Sequence, residues 1–286
     1  MIDDLQRYGD LLMHEENNLG RPQFEGYSPN EMARIIYHTF DGHSPIRLMP
    51  LKAADYGLVP IVRQVLYLTK LIQKSGEIKL TQKGFLPPRI VTELASQEFL
   101  MKEAVEWYRP NYYREADSLS TTLTRLILKL AGVIKKRKNR LSLTKYGEKL
   151  LSDHKKLFLA ILAVYCKKFN WAYTDSYGDN HIGQVGYGFS MILLEKYGNE
   201  PLGHSFYAKK YFTAFPMLAS SYEPSPYGFD AKRHERCYIL RTFERFLLFF
   251  GLVNISQKNW DSEVIIQKTE LFDRLFRCMP PSTSKN

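Results

Sequence analysis

The sequence predicts a mainly α-helical fold with small β-hairpins, arranged as repeated winged-helix-like units. Two observations carry that expectation. Apolar residues recur at three- to four-residue spacing along most of the chain. Several of those helical patterns end at a glycine that leads into a short strand and a turn. The composition agrees: of 286 residues, 44% are hydrophobic and 14% aromatic. That is enough for packed cores and too much for a disordered chain. The length corresponds to about two domains, or one with an extension. The expected organisation is an N-terminal helical segment (1–50), a tandem winged-helix-like region (51–170) and a helical region (171–286) that ends in a degenerate winged-helix-like unit.

Ile2, Leu5, Tyr8 and Leu12 form the first stripe, spaced as one buried helical face requires. Ser28, Pro29 and Glu31 then make an N-terminal signature: a cap, a proline at the first helical position and the acid of a capping box. Met32, Ile35, Ile36 and Phe40 continue it. From Pro60, residues Ile61 to Ile72 read as a strongly apolar helix, stopped at Ser75-Gly76. Ile78 and Leu80 alternate with charged residues as a short half-buried strand. Pro88 begins another helix through Leu94. A second block repeats the order: a helix over 118–131, Gly132, a strand from Val133, a turn at Arg137-Lys138-Asn139, a strand from Arg140 to Leu143, then a long helix. A third runs from a Leu- and Phe-rich helix (237–250) through Gly251 to strands at 252–255 and 263–267 and a last short helix. Between them, helices are expected at 184–197 and 204–215.

The first two blocks share a signature where the strand ends: Leu80-Thr81-Gln82-Lys83-Gly84 and Leu143-Thr144-Lys145-Tyr146-Gly147. Threonine can cap a following helix and glycine relaxes the backbone at the turn. In the third block Thr269 is out of register and no glycine follows. A helix feeding a hairpin with a basic tip corresponds to the second half of a winged helix, which makes 118–131 the helix in the recognition position.

Further pieces, Gly26-Tyr27-Ser28-Pro29-Asn30-Glu31-Met32, Lys79 to Pro87, Leu141 to Gly147 and Phe169-Asn170-Trp171, resemble the helical, winged-helix-like region of bacterial SEC-C-motif and plasmid ORF-3-type proteins. The resemblance covers about residues 25–200. The Cys-rich tail that names the SEC-C group is absent from the last residues, which hold only Cys278. The resemblance implies a bacterial, intracellular protein and carries over no catalytic residue.

The formal charge is +10, from 40 basic and 30 acidic residues. It is unevenly spread. Residues 1–34 hold seven acids and three bases, a net of −4, leaving +14 on the remainder. Lys135, Lys136, Arg137, Lys138, Arg140 and Lys145 form the densest cluster, and no acid occurs from Ser118 to Gly147. Such a cluster can pair with phosphates and release counterions; a solvated hairpin tip is the plain alternative.

Catalytic and metal signatures are missing. The three cysteines are far apart, which fits a reducing, cytoplasmic setting. The seven histidines make no helical i, i+4 ligand pair. Ser190 follows a glycine without a nucleophile-elbow pattern, and Gly183, Gly186 and Gly188 match no dinucleotide fingerprint. An Asp179–His181 acid–base pair is outweighed by a surface loop over 173–181. Trp107 to Arg114 interleaves aromatic and basic residues, as an interface or a packed connector would. The longest apolar run, Leu157 to Cys166, is half of what a spanning helix needs, and acids at Asp3 and Asp4 argue against a signal peptide.

The leading expectation is a non-enzymatic, cytoplasmic nucleic-acid-binding protein with no cofactor or metal, favouring DNA over RNA. Lys135, Lys136, Arg137, Lys138, Arg140 and Lys145 would contact phosphates. Thr121, Thr122, Arg125 and Lys129 would approach a groove. The alternative is a protein–protein interaction or scaffold module of the same architecture, for which the 19 Tyr and 17 Phe are suited.

Overall fold

A computed structural model describes residues 2–100, 114–220, 232–259 and 262–282. Helix dominates, with 13 α-helices among the described residues. Eight short strands interrupt them: β1 (Ile46–Leu48), β2 (Ile78–Lys79), β3 (Ile134–Arg137), β4 (Arg140–Leu143), β5 (Leu202–Gly203), β6 (Val253–Ser256), β7 (Ile265–Lys268) and β8 (Phe276–Cys278). The chain divides into two compact units. One comprises 1–50, 179–242 and 256–286; the other comprises 51–178 and 243–255. The break at 50 falls where the sequence places it and the next lies at 178, but the segment 1–50 joins chain far downstream in one unit.

In the first unit the Ser28 cap and its reciprocal bond from Glu31 form as the sequence signature requires, and start the Pro29–Tyr37 helix. β1 pairs antiparallel with β8, and β5 with β7. Buried aromatics fill the interior: Tyr211 stacks on Tyr238 at 4.1 Å, and Phe40 packs against Tyr187 and Phe276. The glycines of 183–188 serve close packing. A Cβ on Gly186 would meet the Phe215 ring at 2.4 Å, and one on Gly188 the Ile35 carbonyl at 2.9 Å. The Ile2–Asn18 helix forms, but its stripe is not covered as its spacing predicts. Tyr8 is 62% and Leu12 43% exposed, and Leu11 and Met13 are exposed beside them.

In the second unit the Pro60–Ser75 helix buries Ile61, Val62, Val65, Leu68 and Ile72, the stripe read from sequence. The Leu119–Leu130 helix, capped by Ser118, buries Leu123, Ile127 and Leu128 beside it. Gln64 of the first helix donates to Thr124 Oγ1 of the second at 2.8 Å, a buried bond that fixes their contact. Tyr165, Trp171, Phe246 and Phe250 form an aromatic cluster with ring centroids 5.2–5.7 Å apart, and the Trp171 indole donates to the Tyr165 carbonyl.

The strand after Gly76 has no hairpin of its own. β2 lies antiparallel to β4, so the strands of the first two sequence blocks make one sheet in the order β2-β4-β3. The shared Leu-Thr-x-x-Gly signature accordingly takes two shapes. Thr144 caps the Lys145–Leu151 helix by accepting from the Gly147 N–H, and its hydroxyl donates to the Gly132 carbonyl. A Cβ on Gly147 would sit 2.2 Å from the Val133 carbonyl oxygen, so only glycine fits. Thr81 and Gly84 instead close a tight turn, with Gly84 at φ +80°. Thr269, out of register in sequence, caps the Glu270–Leu275 helix with the same backbone angles as Thr144, φ −94° and ψ 159°.

Candidate nucleic-acid interface

The ten side chains singled out by sequence separate into two groups. β3 and β4 are joined by the two-residue turn Lys138-Asn139, with φ of +47° and +57°. Both positive values belong to the hairpin turn whose twist matches its strands. The turn is locked from outside. The Asn139 side-chain amide donates to the Leu80 carbonyl at 3.2 Å and the Thr81 carbonyl at 2.8 Å, and the Leu80 N–H donates to the Asn139 carbonyl at 2.9 Å. The tip is therefore tied to the end of β2 and does not project as a free loop.

Residues opposite each other on paired strands share a face. Ile134, Leu141 and Leu143 face the core, while Lys135 and Arg137 share the other face with Ser142 and Arg140. Arg137 stands directly opposite Arg140, a like-charge pair that is unfavourable by itself. Arg140 is relieved by an ion pair with Glu77. Lys129, Lys135, Lys136, Arg137, Lys138 and Lys145 are exposed, and among the described residues none is in an ion pair. Tyr146, 56% exposed, stands next to Lys145.

The helical group is placed differently. Thr121 is 1% exposed and accepts from the Ser118 hydroxyl, so it does not reach the surface. Thr122 donates to the Glu115 carbonyl at 2.7 Å. Arg125 pairs through Nε with the buried Glu115 carboxylate and donates through Nη1 to the Gly84 carbonyl at 3.0 Å. The second Glu115 oxygen accepts from the Leu86 N–H at 2.6 Å. Arg125 thus holds the 84–86 loop against its own helix. Glu115 and Asn139, the two residues that organise this region, carry weak sequence signals. Asn139 lies in the turn that the sequence indicates and tolerates positive φ, whereas nothing local marks Glu115 as the partner of a side chain ten residues on.

The remaining candidates are structural. Asp175 Oδ1 accepts from the Tyr177 N–H and its other oxygen faces Arg245 at 3.8 Å. Asn180 accepts from the Ile182 N–H and from the buried Arg241, while Asp179 and His181 are exposed. These are the turns of a surface loop. Ser190 is buried against the Tyr238 hydroxyl at 2.9 Å. Residues 107–113 of the aromatic–basic stretch lie outside the described residues. Among the described residues no three His, Cys, Asp or Glu side chains gather as a metal site would need, and no helix is long and apolar enough to cross a membrane.

Residues 57–156 match the family model of the Y4jL N-terminal domain. The matched stretch holds the β2-β4-β3 sheet, both helices packed on it and all ten candidate side chains. No curated protein and no solved structure matches the chain.

Proposed function

We propose that the unit containing residues 51–178 binds nucleic acid, with the β3–β4 hairpin as its contact to phosphates. One observation carries this reading: six exposed cations, Lys129, Lys135, Lys136, Arg137, Lys138 and Lys145, occupy an acid-free stretch of chain and none is neutralised by a described carboxylate. Exposed, unpaired cations held on a rigid hairpin are suited to phosphate pairing and counterion release. The order of elements adds support. Among the described residues, helix, strand, helix, helix and two strands follow one another, with the first strand paired to the last, an order that fits a winged-helix reading.

The test is binding of the full chain to labelled duplex DNA and duplex RNA at low salt. Binding is expected, with DNA favoured, and it should fall by about a hundredfold when Lys135, Lys136, Arg137 and Lys138 become alanine. Absence of binding by the folded protein would refute the proposal.

A protein-interaction role is favoured by a separate observation. Tyr8, Leu11, Leu12 and Met13 are exposed together on the acidic Ile2–Asn18 helix. Exposed apolar clusters of this kind mark interaction surfaces more often than bare solvent-facing helices. Retained partner binding by a protein that ignores nucleic acid would favour it.

A further inference from the structure

Base reading in the major groove needs free, well-aimed donors and acceptors, chiefly the forked groups of Arg, Asn and Gln. The Leu119–Leu130 helix occupies the recognition position but has almost none to offer. Its hydroxyls are engaged: Ser120 with Ser118 at 3.3 Å, Thr121 with Ser118 at 2.9 Å, Thr122 with the Glu115 carbonyl, and Thr124 with both Gln64 and the Ser120 carbonyl at 2.8 Å. Arg125, its one guanidinium, is divided between the Glu115 carboxylate and the Gly84 carbonyl. Apart from Lys129, its other residues are leucines and Ile127. On the hairpin the one amide side chain, Asn139, has both donors committed to Leu80 and Thr81.

What remains unpaired is almost entirely lysine: Lys129, Lys135, Lys136, Lys138 and Lys145, with Arg137 as the one unpaired fork, since Arg140 is held in an ion pair by Glu77. A lysine ammonium is a compact point charge without the bidentate geometry that distinguishes one base edge from another. Phosphate contacts position a protein on nucleic acid and carry no base information. We infer that the ligand of this hairpin is the phosphodiester backbone itself, taken without regard to base sequence. The inference rests on the nucleic-acid reading above.

Two measurements on the full chain test it. Titration by fluorescence anisotropy uses DNA duplexes of about 24 base pairs, one A·T-rich, one G·C-rich and one mixed. Dissociation constants are expected to agree within about threefold, with the same steep salt dependence for all three. Selection from a pool of randomised duplexes is expected to enrich no motif. An enriched motif bound more than about thirtyfold tighter than the pool would overturn sequence independence while leaving nucleic-acid binding standing. No binding to any duplex at low salt would overturn the inference together with the reading beneath it. Arg137→Lys separates the remaining fork: an unchanged profile across the three duplexes is expected, and a sequence preference that disappears with Arg137→Lys would contradict the inference.

Discussion

The Leu119–Leu130 helix and the β3–β4 hairpin are neighbours in one small unit and both carry many polar side chains, yet they use their polar groups in opposite ways. The helix turns Thr121, Thr122, Thr124 and Arg125 inward, onto Ser118, Glu115, Gln64 and Gly84. The hairpin leaves Lys135, Lys136, Arg137 and Lys138 in solvent and spends Asn139 on holding the turn. The difference shows that a polar residue on an amphipathic helix is free for a ligand only if no buried carboxylate or carbonyl claims it. In this unit the helix commits its polar groups to internal bonds, and the hairpin is the part proposed to meet a ligand.

That contrast predicts where substitutions act. Glu115→Ala should be the most damaging, because it leaves the buried Leu86 N–H unpaired and takes from Arg125 its carboxylate partner. A loss of about 3–5 kcal/mol in urea unfolding is expected, and a neutral outcome would mean that the helix is not held by this pair. Gly147→Ala should follow at about 2–3 kcal/mol, since the new Cβ meets backbone at Val133 and cannot be relieved by a side-chain rotation. Asn139→Ala should lower stability by about 1–2 kcal/mol through loss of its two bonds and of a residue that accepts positive φ. The smallest effect belongs to Lys135→Ala and Lys138→Ala, each within about 0.5 kcal/mol by the same unfolding measurement. If hairpin lysines proved as destabilising as Glu115, the division between bonded helix and solvent-facing hairpin would collapse.

Much of this was legible in the chain. The Ser28 capping box, the Thr144 cap, the apolar stripe after Pro60 and the turn at Lys138-Asn139 are local signals, and local signals survive folding. What the sequence left hidden depends on contacts between distant residues. Nothing near Ile78 says that β2 joins β4 and not a partner strand of its own. Nothing near Arg125 says that Glu115 will take it. The periodicity of the first helix marks an apolar face without saying whether anything covers it, and Tyr8 and Leu12 stand exposed. Thr269 was obscured for a different reason: its cap is intact, but a register shift and the missing glycine broke the pattern by which Thr144 is recognised. The basic cluster and its place on a hairpin were legible in sequence, while its exposure was not. Its separation from Thr121, Thr122 and Arg125 required the side-chain bonds.

The salt dependence of duplex binding tests the central claim most directly. For the wild-type chain, log affinity should fall linearly with log salt concentration. With Lys135, Lys136, Arg137 and Lys138 changed to alanine, the slope should become shallower by about 3 to 4, as expected for the loss of about four phosphate contacts. A slope unchanged by those four substitutions, in a protein that still folds, would contradict the account.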